Sequence, residues 1–392
     1  MSQPPNLSHS QNDRSIWLSL FIVFVLLYCF LVGINCLGGG MKSLGKGAMD
    51  VYFSESMNPI LALLVGILAT TLVQSSSVTT ALVVGFVAAN QISIAAAVPM
   101  IMGANIGTTV TNTIASLAHA ARENEFRRAF AAATCHDFFN YLSVLVLLPV
   151  ELISRAIWGQ GLLEWMARTV ADALAGVGGA TYKSPMKAAF KAGKTLIESA
   201  IDSISGGGQL GDIVLVIAGF LIILISLTSI VKIMRGPMVS RMEKYVTRFL
   251  GAGGPVAILV GLILTVMAQS SSITTSTLVP LAGAGIISLQ QIYPVTLGAN
   301  IGTTVTALLA ALAAPENAEA ALTIAIVHLL FNLAGILIWY VPSYTRAIPL
   351  RLATKFAGFA AHSKGWAIVY VSLAFYALPA AIFFLAEAFT KG

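Results

Sequence analysis

Two stretches of this chain, 195 positions apart, spell almost the same polar text inside apolar surroundings. Gln74-Ser75-Ser76-Ser77 is followed by Gly103-Ala104-Asn105-Ile106-Gly107-Thr108-Thr109-Val110-Thr111. Gln269-Ser270-Ser271-Ser272 is followed by Gly298-Ala299-Asn300-Ile301-Gly302-Thr303-Thr304-Val305-Thr306. In both copies the Gln stands 31 residues before the Asn, so the motifs and their separation were duplicated together. A single Gln-Ser-Ser-Ser fits an ordinary helix interface, where small and hydroxylic residues let membrane helices approach. Thirteen matched residues at one spacing ask for more, and a repeated polar tract at depth points to a ligand site between two structural repeats.

Composition places the chain in a bilayer: 57% of residues are hydrophobic and 10% charged, against about 25% charged in soluble domains. The net charge of +6 is spread over loops, which suits membrane orientation and gives no basic stripe for a nucleic acid. Cys29, Cys36 and Cys135 lie in apolar runs and suggest packing, neither a disulfide framework nor metal-ligand spacing. There is no His-Glu-x-x-His, no Gly-x-Ser-x-Gly elbow and no pair of intramembrane aspartates, so the chain reads as a non-enzyme.

Apolar runs of about 20 residues predict five ordinary spans: Ile16 to Leu37, Ala129 to Leu152, Ile213 to Met234, Ala320 to Val341, and Trp366 to Ala388. The motif regions differ. No Asp, Glu, Lys or Arg occurs in the 66 residues between Glu55 and Arg122 or in the 67 between Arg248 and Glu316, yet Gly, Pro, Ser, Thr, Asn and Gln interrupt both. Irregular backbone at membrane depth survives only where protein or water covers it. Each copy is therefore expected to hold a re-entrant hairpin and a broken helix, with Pro99, Pro280 and Pro294 as breakers. The fold class is an all-α polytopic membrane protein of two inverted-topology repeats with re-entrant hairpins and broken helices.

The expected organisation is a cytoplasmic tail at 1–14, a first repeat at 15–154 with its hairpin core at 57–121, and an external segment at 155–211. A second repeat follows at 212–342 with its core at 250–315, then a basic cytoplasmic loop and last span at 343–392. Lys and Arg collect in cytoplasmic loops. Copy one is entered past Asp50 and Glu55 and left past Arg122, Arg127 and Arg128, whereas copy two is entered past Lys232, Arg235, Arg241, Lys244 and Arg248 and left past Glu316 and Glu319. The copies thus run in opposite directions, with the N-terminus cytoplasmic and the C-terminus external. Lys183, Lys187, Lys191 and Lys194 recur at helical spacing and suggest an amphipathic surface helix.

The charge-free cores must hold an anion with dipoles and hydroxyls. Helix starts supply both amide donors and a positive pole, so Gln74, Ser75, Ser76, Ser77, Gln269, Ser270, Ser271 and Ser272 are the expected anion site. Hard oxygens for a small alkali cation are expected from Gln74, Ser75, Thr79, Asn105, Thr108 and Thr109, and from Gln269, Ser270, Thr274, Asn300, Thr303 and Thr304. With no Lys or Arg to neutralise the anion, a co-bound cation becomes its counter-charge and the two affinities depend on each other. His136 and Asn140 recur as His328 and Asn332 at i and i+4, read as a satisfied helix-interface pair. Asp137 is expected to pair with Arg127 or Arg128, outside the site.

Gln74 to Thr80, Ile101 to Thr113, Phe126 to Phe130 and His136-Asp137, with Gln269 to Thr275, Tyr293-Pro294, Thr296 to Thr304 and His328 to Asn332, resemble the type II sodium/phosphate cotransporter family over roughly residues 15 to 388. The resemblance implies symport of inorganic phosphate with sodium through an alternating-access site between the Gln-Ser-Ser-Ser repeats. Sodium would be the only metal and no cofactor is implied. Animal members carry a disulfide-bearing loop between the halves; this chain has no Cys there, which suggests a bacterial-type member in an inner membrane. A sodium-coupled symporter of another oxyanion, or an uncoupled anion channel, remains the alternative.

Overall fold

A computed structural model describes residues 7–44, 57–177, 185–249, 253–314 and 317–391. Asp50, Glu55, Lys183 and Glu316, used above for orientation or periodicity, lie outside them. Every regular element among the described residues is helical. Among the described residues seven segments are long and apolar enough to cross a membrane: Leu18–Leu44, Ile94–His119, Glu123–Trp158, Gly208–Met234, Leu289–Ala313, Ala318–Trp339 and Gly365–Leu385. Five of them coincide with the expected ordinary spans, and the other two lie in the motif regions. The chain is an all-α polytopic membrane protein.

The halves repeat one order of elements. In the first, α1 (Leu7–Leu44) precedes a pair of short helices, α2 (Pro59–Val73) and α3 (Ser76–Ala88), then α4 (Ile94–Thr108), α5 (Val110–Ser116) and the long α6 (Glu123–Trp158). After α7 (Leu162–Val177) and α8 (Pro185–Ser205), the second half runs α9 (Gly208–Phe249), the short pair α10 (Gly254–Ala268) and α11 (Ser271–Gly283), α12 (Leu289–Ala313) and α13 (Ala318–Trp339). The paired helices have 15 and 13 residues in each half, about 20 Å at 1.5 Å per residue, short of the roughly 30 Å apolar thickness. The two helices of each pair also pack against one another across the turn between them, forming a hairpin.

Glycine sets how closely these helices cross. A Cβ on Gly103 would lie 2.0 Å from the Leu63 carbonyl oxygen, and one on Gly298 would lie 1.9 Å from that of Ile258. Gly66 and Gly261 meet α4 and α12 equally closely, at 2.1 Å and 2.0 Å. The first glycine of each duplicated Gly-Ala-Asn thus seats α2 on α4 and α10 on α12.

Three expectations change. The helix after the hairpin is interrupted only in the first copy, at Thr109 between α4 and α5; α12 runs unbroken through the matching Thr304. Pro99, Pro280 and Pro294 all sit inside helices. A proline there removes one hydrogen bond and strains one turn, and at these sites the packed neighbours hold the helix together. Lastly, the basic loop after 343 is a helix, α14 (Ser343–His362), leading to α15 (Gly365–Ser372), a π-turn at Leu373–Ala377 and α16 (Leu378–Lys391).

The described residues between the halves are largely helical as well. Glu151, buried near the end of α6, accepts the Leu163 amide at 2.7 Å and so caps α7, while Arg155 binds Glu164 at 2.5 Å. The Tyr28 hydroxyl on α1 donates to the Ala189 carbonyl of α8 (3.0 Å), docking that amphipathic helix on the first span.

Candidate functional site

Each Gln-Ser-Ser-Ser is a helix–helix turn made by its own side chains. Gln74 and Gln269 close α2 and α10 in the left-handed region, at φ 57° and 51°, a conformation non-glycine residues rarely adopt. Their side chains are tied down to match. Gln74 Nε2 donates to the Thr71 carbonyl (2.6 Å) and its Oε1 accepts from the Thr111 hydroxyl (3.0 Å). Gln269 repeats this with Val266 (2.7 Å) and Thr306 (3.1 Å). Thr111 and Thr306 are the last residues of the duplicated nine-residue motif, so the two motifs of each copy meet in space.

The following serines start the next helix. Ser75 and Ser270 are N-caps whose Oγ atoms accept from the Val78 and Ile273 amides, both at 3.3 Å. That leaves the amides of Ser76, Ser77, Ser271 and Ser272 at the first turns of α3 and α11, where a helix has donors without intrahelical partners. Ser76, Ser77 and Ser271 are buried. The two turns touch: the Ser77 hydroxyl donates to the Gln269 carbonyl at 3.5 Å. Two positive helix ends from opposite halves thus converge on one spot, the arrangement that favours an anion.

The expected cation oxygens are all present, but their settings differ. The hydroxyls of Thr79, Thr108, Thr109, Thr303 and Thr304 donate to carbonyls three or four residues back in their own helices, leaving oxygen lone pairs outward. Thr274 accepts from Thr265 (2.8 Å), whereas Thr70, the repeat equivalent of Thr265, has no hydrogen-bond partner among the described residues. The two asparagines are committed to a buried ladder. Thr275 donates to Asn112 Oδ1 (2.8 Å), and Asn112 Nδ2 lies 3.4 Å from His136 Nδ1. His136 Nε2 stands 2.6 Å from Asn300 Oδ1, Asn300 Nδ2 donates to Asn140 Oδ1 (2.9 Å), and Asn140 Nδ2 donates to the Asn105 carbonyl (2.7 Å). Asn332 Nδ2 completes it on Asn105 Oδ1 at 3.3 Å. Every member is buried, and the directions assign one tautomer, with the proton on His136 Nε2.

The pairing expected for Asp137 does not form. Arg128 donates from Nε and Nη2 to the Gly283 carbonyl at the end of α11 (2.9 and 2.6 Å). Fully buried Asp137 Oδ2 instead accepts from Thr113 (3.1 Å) and Tyr370 (2.9 Å), and its Oδ1 has no partner among the described residues. A buried carboxylate without a cation is costly in a membrane and marks a functional position. The cores contain no acid of their own, but α6 delivers one to their edge.

Sequence reasoning missed the last span's part. Its π-turn, a feature frequent at functional sites, aims the Phe375 carbonyl at the Thr71 hydroxyl (3.3 Å) and brings the Tyr376 hydroxyl within 3.2 Å of Gln74 Nε2. Nothing in an unrepeated apolar run signals this, whereas Asn112 and Thr113 directly follow the first motif and were within reach.

A helical membrane protein whose duplicated polar turns meet has the architecture of a polytopic membrane transporter. Family comparison makes this specific. Residues 29–175 and 214–361 match the Na+/Pi-cotransporter family, and the chain belongs to it. It is 34% identical over 451 residues to human sodium-dependent phosphate transport protein 2B, covering 94% of this chain and 65% of that protein. Against the sheep (Ovis aries) protein 2A it is 35% identical over 438 residues, covering 94% and 67%. The chain thus spans about two thirds of the length of these relatives. No solved structure matches it.

Proposed function

We propose that the chain is a secondary transporter that moves inorganic phosphate together with sodium, without enzymatic activity or cofactor. The observation that carries this reading is the Ser77–Gln269 contact, which brings the first turn of α3 against the turn that leads into α11 in the opposite half. Relatives named for sodium-dependent phosphate transport support the choice of ligands. Phosphate would lie between Gln74 to Ser77 and Gln269 to Ser272. Sodium would take oxygens from Thr79, Thr108, Thr109, Thr274, Thr303 and Thr304, with the Asp137 carboxyl at the edge. Asn105 and Asn300 then act by bracing the halves more than by direct ligation. Opposite loop charges support inverted repeats, and two mirror-related turns at one site suit alternating access. In this orientation the end bearing Arg127, Arg128 and α14 faces the cytoplasm.

The test is uptake of labelled phosphate by proteoliposomes. Uptake is expected to require sodium, to fail with potassium, to resist excess sulfate, and to fall at least about tenfold in Ser76→Ala and Ser271→Ala, each of which removes one hydrogen bond to a charged ligand. Equal uptake in the two salts overturns the coupling, and full inhibition by sulfate overturns the choice of phosphate.

A further inference from the structure

Far from the motif turns, two cavities of about 530 and 170 Å³ share Leu289 and Thr354 as lining residues. Together they form a groove between α14 and the first turns of α6 and α12. Its walls carry Arg127, Arg128, Arg346, Arg351 and Lys355, and no Asp or Glu lines either cavity. None of the five is ion-paired with a carboxylate among the described residues. Two are occupied structurally. Arg346 donates to the Tyr340 and Val341 carbonyls at the end of α13, and Arg128 binds Gly283. Arg127, Arg351 and Lys355 are exposed. Ser288 and Leu289, which start the 25-residue α12, line the groove and turn the positive pole of that helix toward it.

We propose that this groove binds a phosphate group at a site separate from the motif turns. Cavity, cations and helix start favour one charge, and arginine forks suit phosphate oxygens. The group can come from a lipid headgroup or from free phosphate. Exposed Tyr344 and Leu352 on α14 give acyl chains an apolar surface beside the groove. Because Arg128 holds the tip of α11 through Gly283, an occupant of the groove acts on the second hairpin. The proposal does not depend on the transport reading, since neither Arg351 nor Lys355 contacts a Gln-Ser-Ser-Ser turn.

The experiment compares the full-length protein with Arg351→Gln/Lys355→Gln, a pair whose side chains make no hydrogen bond or ion pair among the described residues. In nanodiscs containing phosphatidic acid, native mass spectrometry is expected to find the lipid retained by the wild type and bound about thirtyfold more weakly by the variant, from two lost charges. In phosphatidylcholine nanodiscs with potassium as the only salt, calorimetric titration with inorganic phosphate gives the second arm. Binding there that the variant loses, without lipid selection, assigns the site to free phosphate. If wild type and variant behave alike toward both ligands, the site does not exist. An unchanged melting temperature shows that the variant is folded.

Discussion

The ladder joining the halves makes a quantitative demand. His136 sits on α6 and Asn300 on α12, and their 2.6 Å contact is the shortest of its side chain–side chain bonds. Asn300→Ala strands the His136 Nε2–H and the Asn140 Oδ1, two buried groups at about 1–3 kcal/mol each. Hydrogen bonds between membrane helices average only roughly 0.6 kcal/mol and reach about 1.7, so about 2–4 kcal/mol is the expected loss. His136→Ala strands Asn300 Oδ1 and the Asn112 amide and should cost about as much. In the double variant the shared bond is lost once, so the total should fall about 1–2 kcal/mol short of the sum. Equilibrium unfolding in mixed micelles, at fixed sodium and phosphate, supplies all four corners of the cycle. Additivity within roughly 0.5 kcal/mol would show that the contact is a coincidence of packing. Asn300→Asp, which keeps the acceptor for His136 but loses the donor to Asn140, should retain part of the coupling.

Other consequences are more local. Gly103→Ala and Gly298→Ala force a methyl to within about 2 Å of a carbonyl oxygen and should cost at least about 1–3 kcal/mol; Gly358→Ala, with nothing within 4 Å, should be neutral or stabilising in the same melting assay. Asp137→Asn should leave the melting temperature unchanged or raised, because it replaces a buried carboxyl that has no cation partner among the described residues, yet weaken the sodium activation of phosphate uptake about tenfold or more; an unchanged sodium titration would remove Asp137 from the site. Tyr376→Phe deletes the hydroxyl beside Gln74 and should raise the apparent KM for phosphate severalfold with little effect on melting, whereas a fall in stability alone would make the contact structural.

How much of this was legible depends on how local the deciding chemistry is. The two turns were legible because Ser as an N-cap is a choice made within three residues of chain; the left-handed Gln before each was not, since side chains rarely adopt that conformation. The glycine crossings were not, since Gly103 and Gly298 were grouped with the ligand motif while their partners, Leu63 and Ile258, lie 40 residues upstream in runs of no special composition. Asp137 was set aside because Arg127 and Arg128 stand close to it in sequence, and His136 because a helix-interface pair with Asn140 accounted for it. Only the tertiary placement of α6 against α5 and α12 shows that His136 meets Asn112 and Asn300 and that Asp137 meets Thr113.

The one break in symmetry follows from the sequence once the contacts are known. Thr109 and Thr304 occupy equivalent places, but the next turn reads Asn112-Thr113 in the first copy and Ala307-Leu308 in the second. Alanine and leucine favour helix, asparagine and threonine less so. In the first copy both side chains are also claimed from outside, Asn112 by Thr275 and His136, and Thr113 by Asp137. The second copy has apolar side chains at those positions and its helix continues through. The duplicated frame is therefore specialised on one side: the first half gathers the acid, the ladder's histidine and the interrupted helix, and the second contributes Thr275, Asn300 and Asn332 to the same ladder. If sodium coupling is unequal between the two copies, the physical cause lies in these two positions. Exchanging Asn112-Thr113 for Ala-Leu should heal the helix and weaken sodium dependence together, and healing without that loss would separate the break from the coupling.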